Sequence, residues 1–168
     1  HTTVNKLLLS TATAIAVQGF FPGLADAVTT TTTLAVSGAV NSSCLTPTTA
    51  TLNFGSYNPL SATAKTATTT ISVVCTYSTP LTVSLNAGTT AGGSIGQRLM
   101  VRAGGANTLQ YNLYTSSAYS TVWGNGTTGS TVPGTGAGMN TSVAFTVYGQ
   151  IPANQNVPVG TYTDTITV

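Results

Sequence analysis

Apolar and polar residues alternate with a period of two along several short runs of this chain, and Gly, Pro and Asn separate the runs. A period of two places every second side chain on one face of a β-strand, so each run predicts a strand with one buried face. The predicted strands are 50–59, 68–77, 80–88, 97–105, 107–116, 141–152 and 160–168. The Gly-, Ser- and Thr-rich stretch 120–138 predicts a loop. Since no helical periodicity of three turns is visible, about seven short strands predict an all-β sandwich.

Charged residues make up only 4% of the 168 residues, compared with about 25% in typical soluble domains. The polar groups of the surface must therefore be mainly hydroxyls and amides. A hydrophobic fraction of 41% argues against a disordered chain, and the length suits one domain. The formal net charge of +2 is too sparse to bind a phosphate backbone, so no nucleic-acid partner is expected.

Residues 1–27 predict a secretory signal peptide. Lys6 precedes an apolar run at 7–17, and Ala25-Asp26-Ala27 has the small-x-small pattern of a cleavage site. The alternative is a membrane-spanning helix, but the apolar run is shorter than the about 20 residues that a span needs. The sequence therefore predicts an exported protein whose mature chain starts near Val28.

Export makes the two cysteines, Cys44 and Cys75, candidates for a structural disulfide, because they can oxidise outside the cytosol. The loop-entropy relation gives roughly 3 to 4 kcal/mol of stabilisation for a bridge of this spacing. A zinc site is the weaker alternative, since two cysteines without a histidine in the mature chain are too few ligands.

Side chains that carry chemistry are almost absent beyond residue 27. This part of the chain has no His and no Glu, its single carboxylate side chain is Asp164, and its bases are Lys65, Arg98 and Arg102. General acid–base or nucleophilic catalysis needs a tuned titratable group with a partner, and calcium or magnesium sites need several oxygen ligands. We therefore expect no catalytic residue, no cofactor and no metal, and we predict that the protein is not an enzyme.

Two single residues are candidates for a binding role. Asp164 falls on the apolar side of its predicted strand, where it either hydrogen-bonds to backbone, pairs with Arg98 or Arg102, or binds a ligand. Trp123 either packs over the edge of the sandwich or is an exposed platform that stacks on a sugar ring.

The stretch 28–44, "VTTTTTLAVSGAVNSSC", also has the pattern of a half-buried strand. Leu34, Val36 and Val40 fall on one side, with Gly38 between them. This strand stands at the front of the predicted mature chain, so it belongs either to its own fold or to another molecule. The threonines at 29–33 either continue the strand, because Thr is a good strand former, or form a surface linker.

Several stretches follow one another in a characteristic order: "SSCLTPTTATLNFGSYNP", "ISVVCT", "VSLNAG", "QRLM", "LQYNLYTSSAYSTVWGNG" and "VYGQIPANQNVPVGTYTDTITV". Taken in this order, they resemble the spore coat protein U domain, the subunit family of the archaic, Csu-type chaperone–usher pili of bacteria. Together with the alternating strand at the front, they cover essentially all of residues 28–168.

The resemblance implies an incomplete immunoglobulin-like β-sandwich that lacks one strand and keeps a hydrophobic groove open. The N-terminal segment of one subunit fills the groove of its neighbour by donor-strand exchange. The implied regions are a signal peptide at 1–27, a donor segment at 28–43 and a pilin domain at 44–168, with the Cys44–Cys75 bridge anchoring their junction. The implied donor face consists of Val28, Thr30, Thr32, Leu34, Val36, Gly38 and Val40.

The resemblance further implies a structural major subunit of an archaic pilus that supports adhesion and biofilm formation on the bacterial surface. Its implied partners are identical neighbouring subunits in a head-to-tail filament, a periplasmic chaperone and an outer-membrane usher. Two alternatives remain open on the residues alone. One is a self-contained secreted sandwich that binds carbohydrate through Trp123 and tyrosines, and the other is a coat or surface-layer protein that assembles laterally.

Overall fold

The computed structural model describes residue 23 and residues 25–168. Most of the predicted signal peptide, residues 1–27, lies outside the described residues. The chain divides at Gly38 into two units, residues 1–38 and residues 39–168. In the first unit, residues 25–38 form neither helix nor strand and their side chains are exposed.

The second unit is built from β-strands, and no helix occurs among the described residues. No described segment therefore forms a helix with the length and apolar character needed to cross a membrane. The strands are β1 (Thr48–Thr49), β2 (Lys65–Val73), β3 (Pro80–Val83), β4 (Arg98–Arg102), β5 (Thr108–Tyr114), β6 (Val132–Thr135), β7 (Val143–Ile151) and β8 (Tyr162–Thr163).

The strands form two antiparallel sheets, as an all-β sandwich requires. The larger sheet has the order β1-β2-β7-β5-β4-β8, and the smaller sheet pairs β3 with β6. The longest ladder joins β2 to β7 and runs from the pair Lys65–Ile151 to the pair Val73–Val143. Strands β4 and β5 form a hairpin, in which Arg98 lies opposite Tyr111.

The core follows the predicted period of two. On β2, Ile71 and Val73 are buried while their neighbour Ser72 is only half-buried, and the same alternation holds on β7. The buried core residues are Ile71, Val73, Cys75, Val83, Leu85, Met100, Leu109, Tyr111, Leu113, Trp123, Phe145, Val147 and Ile151. The all-β fold class predicted from the sequence is confirmed.

Arg98 is a charged residue inside this core, with no exposed surface. Its guanidinium donates hydrogen bonds to the carbonyl oxygens of Leu85, Asn86 and Trp123 at 2.7 to 3.2 Å. It also donates to Oδ1 of Asn112 at 2.8 Å. Burial lowers the pKa of Arg98 below its usual value, because water no longer solvates the charge. The side chain thus ties two segments that lack a ladder of their own, residues 85–86 and the segment around Trp123, to β4 and β5.

Three strand predictions differ from the structure. The stretch 120–138, predicted as a loop, contains β6, whose Val-Pro-Gly-Thr sequence has no apolar alternation to reveal it. Gly134 allows β6 to lie close to β7, because a Cβ atom there would stand 2.6 Å from Cζ of Phe145. The segments 50–59 and 160–168 contribute almost no ladder, since only Tyr162–Thr163 pairs.

Candidate functional site

The segments 50–59 and 160–168 alternate between half-buried and exposed residues as strands do, but most of their residues have no partner strand. In the first, Leu52, Phe54 and Tyr57 are half-buried between exposed neighbours. The backbone groups of residues 51–57 make no backbone hydrogen bond to any other described residue. Buried or half-buried backbone groups normally have partners, so this segment has the chemistry of an open sheet edge.

The final segment has the same character. Tyr162 and Ile166 are half-buried between exposed threonines. The backbone groups of Asp164, Ile166 and Val168 make no backbone hydrogen bond within the described part of the chain. The odd-numbered Thr161 and Thr167 instead use their carbonyl oxygens to accept hydrogen bonds from Ala103 and Asn86. One edge of this segment is therefore occupied and the other is open.

Both open edges line one groove of about 810 Å³. Residues 49–57 and 157–168 form its walls, and Gly149 lets the first wall approach β7, since a Cβ atom there would meet Leu52 and Phe54 at 2.8 to 3.0 Å. The apolar core side chains that line the groove are Ile71, Leu85, Met100, Leu109, Leu113, Val147 and Ile151. Apolar side chains of the core thus form the floor of a channel between two unpaired backbone edges.

A second cavity of about 300 Å³ extends this groove towards the disulfide. Val168 lines both cavities, and Cys44, Cys75 and Leu81 line the second one. The groove therefore runs from the end of the sandwich that holds Tyr162, hereafter the Tyr162 end, to the end that holds Cys44 and Cys75, hereafter the disulfide end.

The disulfide end is where the chain enters the sandwich. Cys44 and Cys75 are joined by a disulfide. On either side of it, the amide of Leu45 donates to the carbonyl of Val74 at 2.9 Å, and the amide of Thr76 donates to the carbonyl of Ser43 at 2.9 Å. The residues before Cys44 are thus fastened to the continuation of β2 at this end.

A polar cluster interrupts the apolar wall of the groove at Asp164. Its Oδ1 atom accepts hydrogen bonds from the backbone amides of Thr89 and Thr90 at 3.0 and 3.1 Å, and from their hydroxyls at 3.4 and 2.9 Å. Its Oδ2 atom accepts a hydrogen bond from the hydroxyl of Tyr111. Gly88 makes room for the carboxylate, because any Cβ atom there would collide with Oδ2. Of the interpretations offered by the sequence, hydrogen bonding to backbone is the one observed, and neither Arg98 nor Arg102 pairs with Asp164.

Tyr111 is the partner of Asp164 that sequence reasoning missed. It lies on the buried face of β5 with Leu109 and Leu113. A signal for its role was present, since a buried tyrosine hydroxyl normally finds a hydrogen-bond partner. Burial, followed by the hydrogen bond to Asp164, raises the pKa of Tyr111 well above the ordinary tyrosine value.

This raised pKa predicts a loss of stability in alkali. The folded state holds the Tyr111 proton more tightly than the unfolded state, so the stabilisation is complete below the unfolded pKa of about 10 and declines as the pH rises above it. We expect Tyr111 to lower the free energy of unfolding by up to about 1.4 kcal/mol per pH unit above pH ~10. Urea unfolding of Tyr111→Phe should show a slope against pH that is shallower by this amount. The exposed Tyr77→Phe is the control, and an unchanged slope in Tyr111→Phe would contradict the assignment.

Trp123 is not an exposed platform. Only 1% of its surface is accessible, and its Nε1 donates a hydrogen bond to the carbonyl of Val83 at 2.9 Å. Its aromatic ring fills the core, so of the two alternatives offered by the sequence, packing within the sandwich is the one observed.

The residues predicted to form a donor face are all exposed: Val28, Thr30, Thr32, Leu34, Val36, Gly38 and Val40. The exposed fraction is 86% for Leu34, 85% for Val36 and 93% for Val40. Large apolar side chains with this exposure are available for contacts with another molecule. Their role as a donor strand stays a prediction.

The site contains no arrangement suited to metal binding. Within residue 23 and residues 25–168, no three His, Cys, Asp or Glu side chains form a group that could hold an ion. Every buried side-chain nitrogen or oxygen in this range has a hydrogen-bond partner. What the geometry offers is a long apolar groove with free backbone donors and acceptors on both walls, which is suited to an extended peptide segment.

These features define the class of the protein: an immunoglobulin-like β-sandwich with an open groove in place of one strand. The family model of the Spore Coat Protein U domain matches residues 30–168. Protein U of Myxococcus xanthus is 33% identical over 177 aligned residues, which cover 97% of this chain and 95% of that protein. The chain belongs to the Spore Coat Protein U domain family, as the sequence predicted.

A solved structure supports the same fold. It is the crystal structure of the CsuC–CsuE chaperone–tip adhesion subunit pre-assembly complex from archaic chaperone-usher Csu pili of Acinetobacter baumannii. One of its chains superposes with a TM-score of 0.52 at 24% sequence identity, over 76% of this chain and 38% of that chain. This chain thus spans well under half of the solved chain, and the likeness establishes the fold.

Proposed function

We propose that this protein is a polymerising pilus subunit whose groove receives residues 28–40 of a second copy of the same chain. One observation carries the proposal. The chain has a groove bounded by two unpaired strand edges, and it also has an exposed, alternating apolar segment of the kind that would fill such a groove. Adding a strand from a second chain covers an open edge and links the chains in one step.

The gain from filling the groove comes from both partners. Leu34, Val36 and Val40 of the donor could each contribute roughly 1.5 to 3 kcal/mol on full burial. On the acceptor, the half-buried Leu52 and Ile166 also lose contact with water. Each backbone hydrogen bond to the open edges adds about 0.5 to 1.5 kcal/mol. Ordering the donor opposes these terms by about 1 to 2 kcal/mol per residue, so affinity depends on close packing along the whole groove.

The position of the junction favours an open filament. The donor segment leaves the sandwich at the disulfide end, next to Cys44, and the groove extends to the Tyr162 end, where residues 157–162 line it. A contact between the disulfide end of one copy and the Tyr162 end of the next uses two different surfaces. Such a head-to-tail contact does not close after two copies, so it propagates.

Family membership and the Csu fold likeness support a chaperone–usher pathway for this subunit. Along that pathway, residues 1–27 direct export, a periplasmic chaperone holds the unfilled groove and an outer-membrane usher exchanges the chaperone for the next subunit. The assembled pilus is extracellular. We propose a major, repeating subunit with adhesion and biofilm formation as its biological role, and a sandwich at 44–168 preceded by the donor segment at 28–43.

The test is the assembly state of the full chain purified from the surface of the producing cell. We expect thin filaments in negative-stain images and a ladder of denaturant-resistant oligomers on gels run without boiling, which collapses to one band on boiling. A single monomer band before boiling, with no filaments, would refute the proposal. Flat sheets without a ladder would instead support lateral assembly as a coat.

A further inference from the structure

The wall of the groove formed by residues 160–168 carries a single charged side chain on its inward face, which is Asp164. Tyr162 and Ile166 are half-buried on either side of Asp164. The carboxylate is held in place by Thr89, Thr90 and Tyr111, so it cannot turn away from the groove without losing these hydrogen bonds. Any segment that fills the groove must therefore pass over a fixed, partly hydrated charge.

Between Leu34 and Val40 the proposed donor face has one position without a side chain, which is Gly38. Leu34, Val36 and Val40 supply branched apolar side chains, and Gly38 supplies none. Glycine weakens a strand, and it often marks a place where another group approaches closely. Nothing in its own chain requires it: its φ is not in the left-handed region, and an added Cβ would meet no described atom within 4 Å.

The direction of the donor follows from the proposed filament. The donor leaves one copy at the disulfide end and enters the next copy at the Tyr162 end, so Val40 enters last and lies nearest Tyr162. Residues 160–168 run from the Tyr162 end to the disulfide end. The donor is therefore antiparallel to this wall, and inward residues of the two strands face each other directly.

We propose that Gly38 of one copy lies opposite Asp164 of the next copy, and that this pair sets the register of the donor strand. The inference rests on the proposed function. In this register Val36 faces Ile166 and Val40 faces Tyr162, so apolar side chains meet apolar side chains. Gly38 leaves space over the carboxylate, which keeps its hydrogen bonds and its remaining water.

Shifts of the donor by one or by two residues from this register are both disfavoured. A shift by one residue turns the whole apolar face of the donor away from the groove. A shift by two residues keeps that face inward but places Val36 or Val40 over Asp164. A branched apolar side chain there removes water from a charge and offers no hydrogen bond in return, which is costly.

Disulfide trapping in the full-length filament tests the register. One variant pairs Val36→Cys with Ile166→Cys, and another pairs Val40→Cys with Tyr162→Cys. Cross-strand partners have Cβ atoms within reach of a disulfide, so we expect both variants to give oligomers that survive boiling until reductant is added. The pairs Leu34→Cys with Ile166→Cys and Ser42→Cys with Tyr162→Cys probe shifts by two residues in opposite directions and should remain at background.

The outcomes separate the two proposals. Trapping through the shifted pairs, in protein that still gives a ladder before boiling, overturns the register and leaves the subunit proposal standing. The absence of a ladder in the unmodified protein overturns the subunit proposal, and the register with it.

A second variant tests the register without cysteines. Gly38 is exposed, so Gly38→Val leaves the sandwich unchanged but places a branched side chain over Asp164 of the neighbour. We expect at least tenfold less ladder than for the unmodified protein. Ser37→Val, which adds the same side chain on the opposite face of the donor, is the matched control and should polymerise normally. Polymerisation of Gly38→Val at the normal level would overturn the pairing.

Discussion

Replacing Val36 with aspartate should abolish polymerisation and leave the sandwich folded. Val36 is 85% exposed in the single chain, so the substitution removes no contact within the domain. In the filament the same position would lie in an apolar groove, where the change forfeits roughly 1.5 to 3 kcal/mol of burial and adds a buried, unpaired charge that costs several kcal/mol more. We expect the ladder to fall by at least about a thousandfold.

The control for this experiment is Ser37→Asp. It introduces the same charge one residue away, on the face of the donor that points out of the groove. Gels without boiling measure the polymer, and far-UV circular dichroism verifies the fold of both variants. Loss of polymer in both variants would indicate that charge anywhere in the segment is harmful, and an intact ladder in Val36→Asp would contradict the donor role.

Replacing Arg98 with alanine should be the most destabilising single change inside the sandwich. The substitution leaves the carbonyls of Leu85, Asn86 and Trp123 without their donor, and it also removes the donor to Asn112. Each buried acceptor left without a partner costs about 1 to 3 kcal/mol. The sum is comparable with the whole stability of a domain, about 5 to 15 kcal/mol.

Arg102→Ala provides the comparison for this prediction. Arg102 lies at the other end of β4, is partly exposed, and donates one hydrogen bond to the carbonyl of Val159 at 2.8 Å. Urea unfolding of the full chain should show a loss of at least about 4 kcal/mol for Arg98→Ala and under about 1 kcal/mol for Arg102→Ala. Equal losses would contradict the role assigned to Arg98.

Alternation of side chains made the fold class and most core strands predictable. On β2 and β7 alternate residues are buried, because burial of one sheet face requires this period. On β5 the polar Asn112 is also buried, where it hydrogen-bonds to Arg98, and alternation does not predict this. β6 was not predictable in the same way. Its short Val-Pro-Gly-Thr run is held by close packing against Phe145 and not by a pattern of its own.

The groove was predictable only through the family resemblance. The segments 50–59 and 160–168 alternate as strands do, so the pattern alone predicted two ordinary strands. Alternation reports which side chains point inward, and it does not report whether the backbone has a neighbour. The missing strand partner is evident only in the structure, where residues 51–57 and Ile166 make no backbone hydrogen bond to another described residue.

The hydrogen-bond partners of single polar residues were harder to predict than the strands. Asp164 was recognised as unusual because it shares a face with Ile166, but its partners Thr89 and Thr90 are more than seventy residues away in the chain. Arg98 was considered as an ion-pair partner, and it instead binds neutral carbonyls of distant segments. Contacts of this kind depend on the tertiary arrangement, which single-residue chemistry does not encode.

The disulfide at the entrance of the sandwich has a mechanical consequence for the proposed filament. Tension along residues 28–40 reaches Cys44 and passes through the sulfur bridge to Cys75. From Cys75 the tension enters β2, whose nine residues all pair with β7, so the load is shared as shear across this ladder. Residues 45–64 lie outside this direct path, so tension that enters at Cys44 need not be carried by the backbone that leads to the groove wall at 51–57.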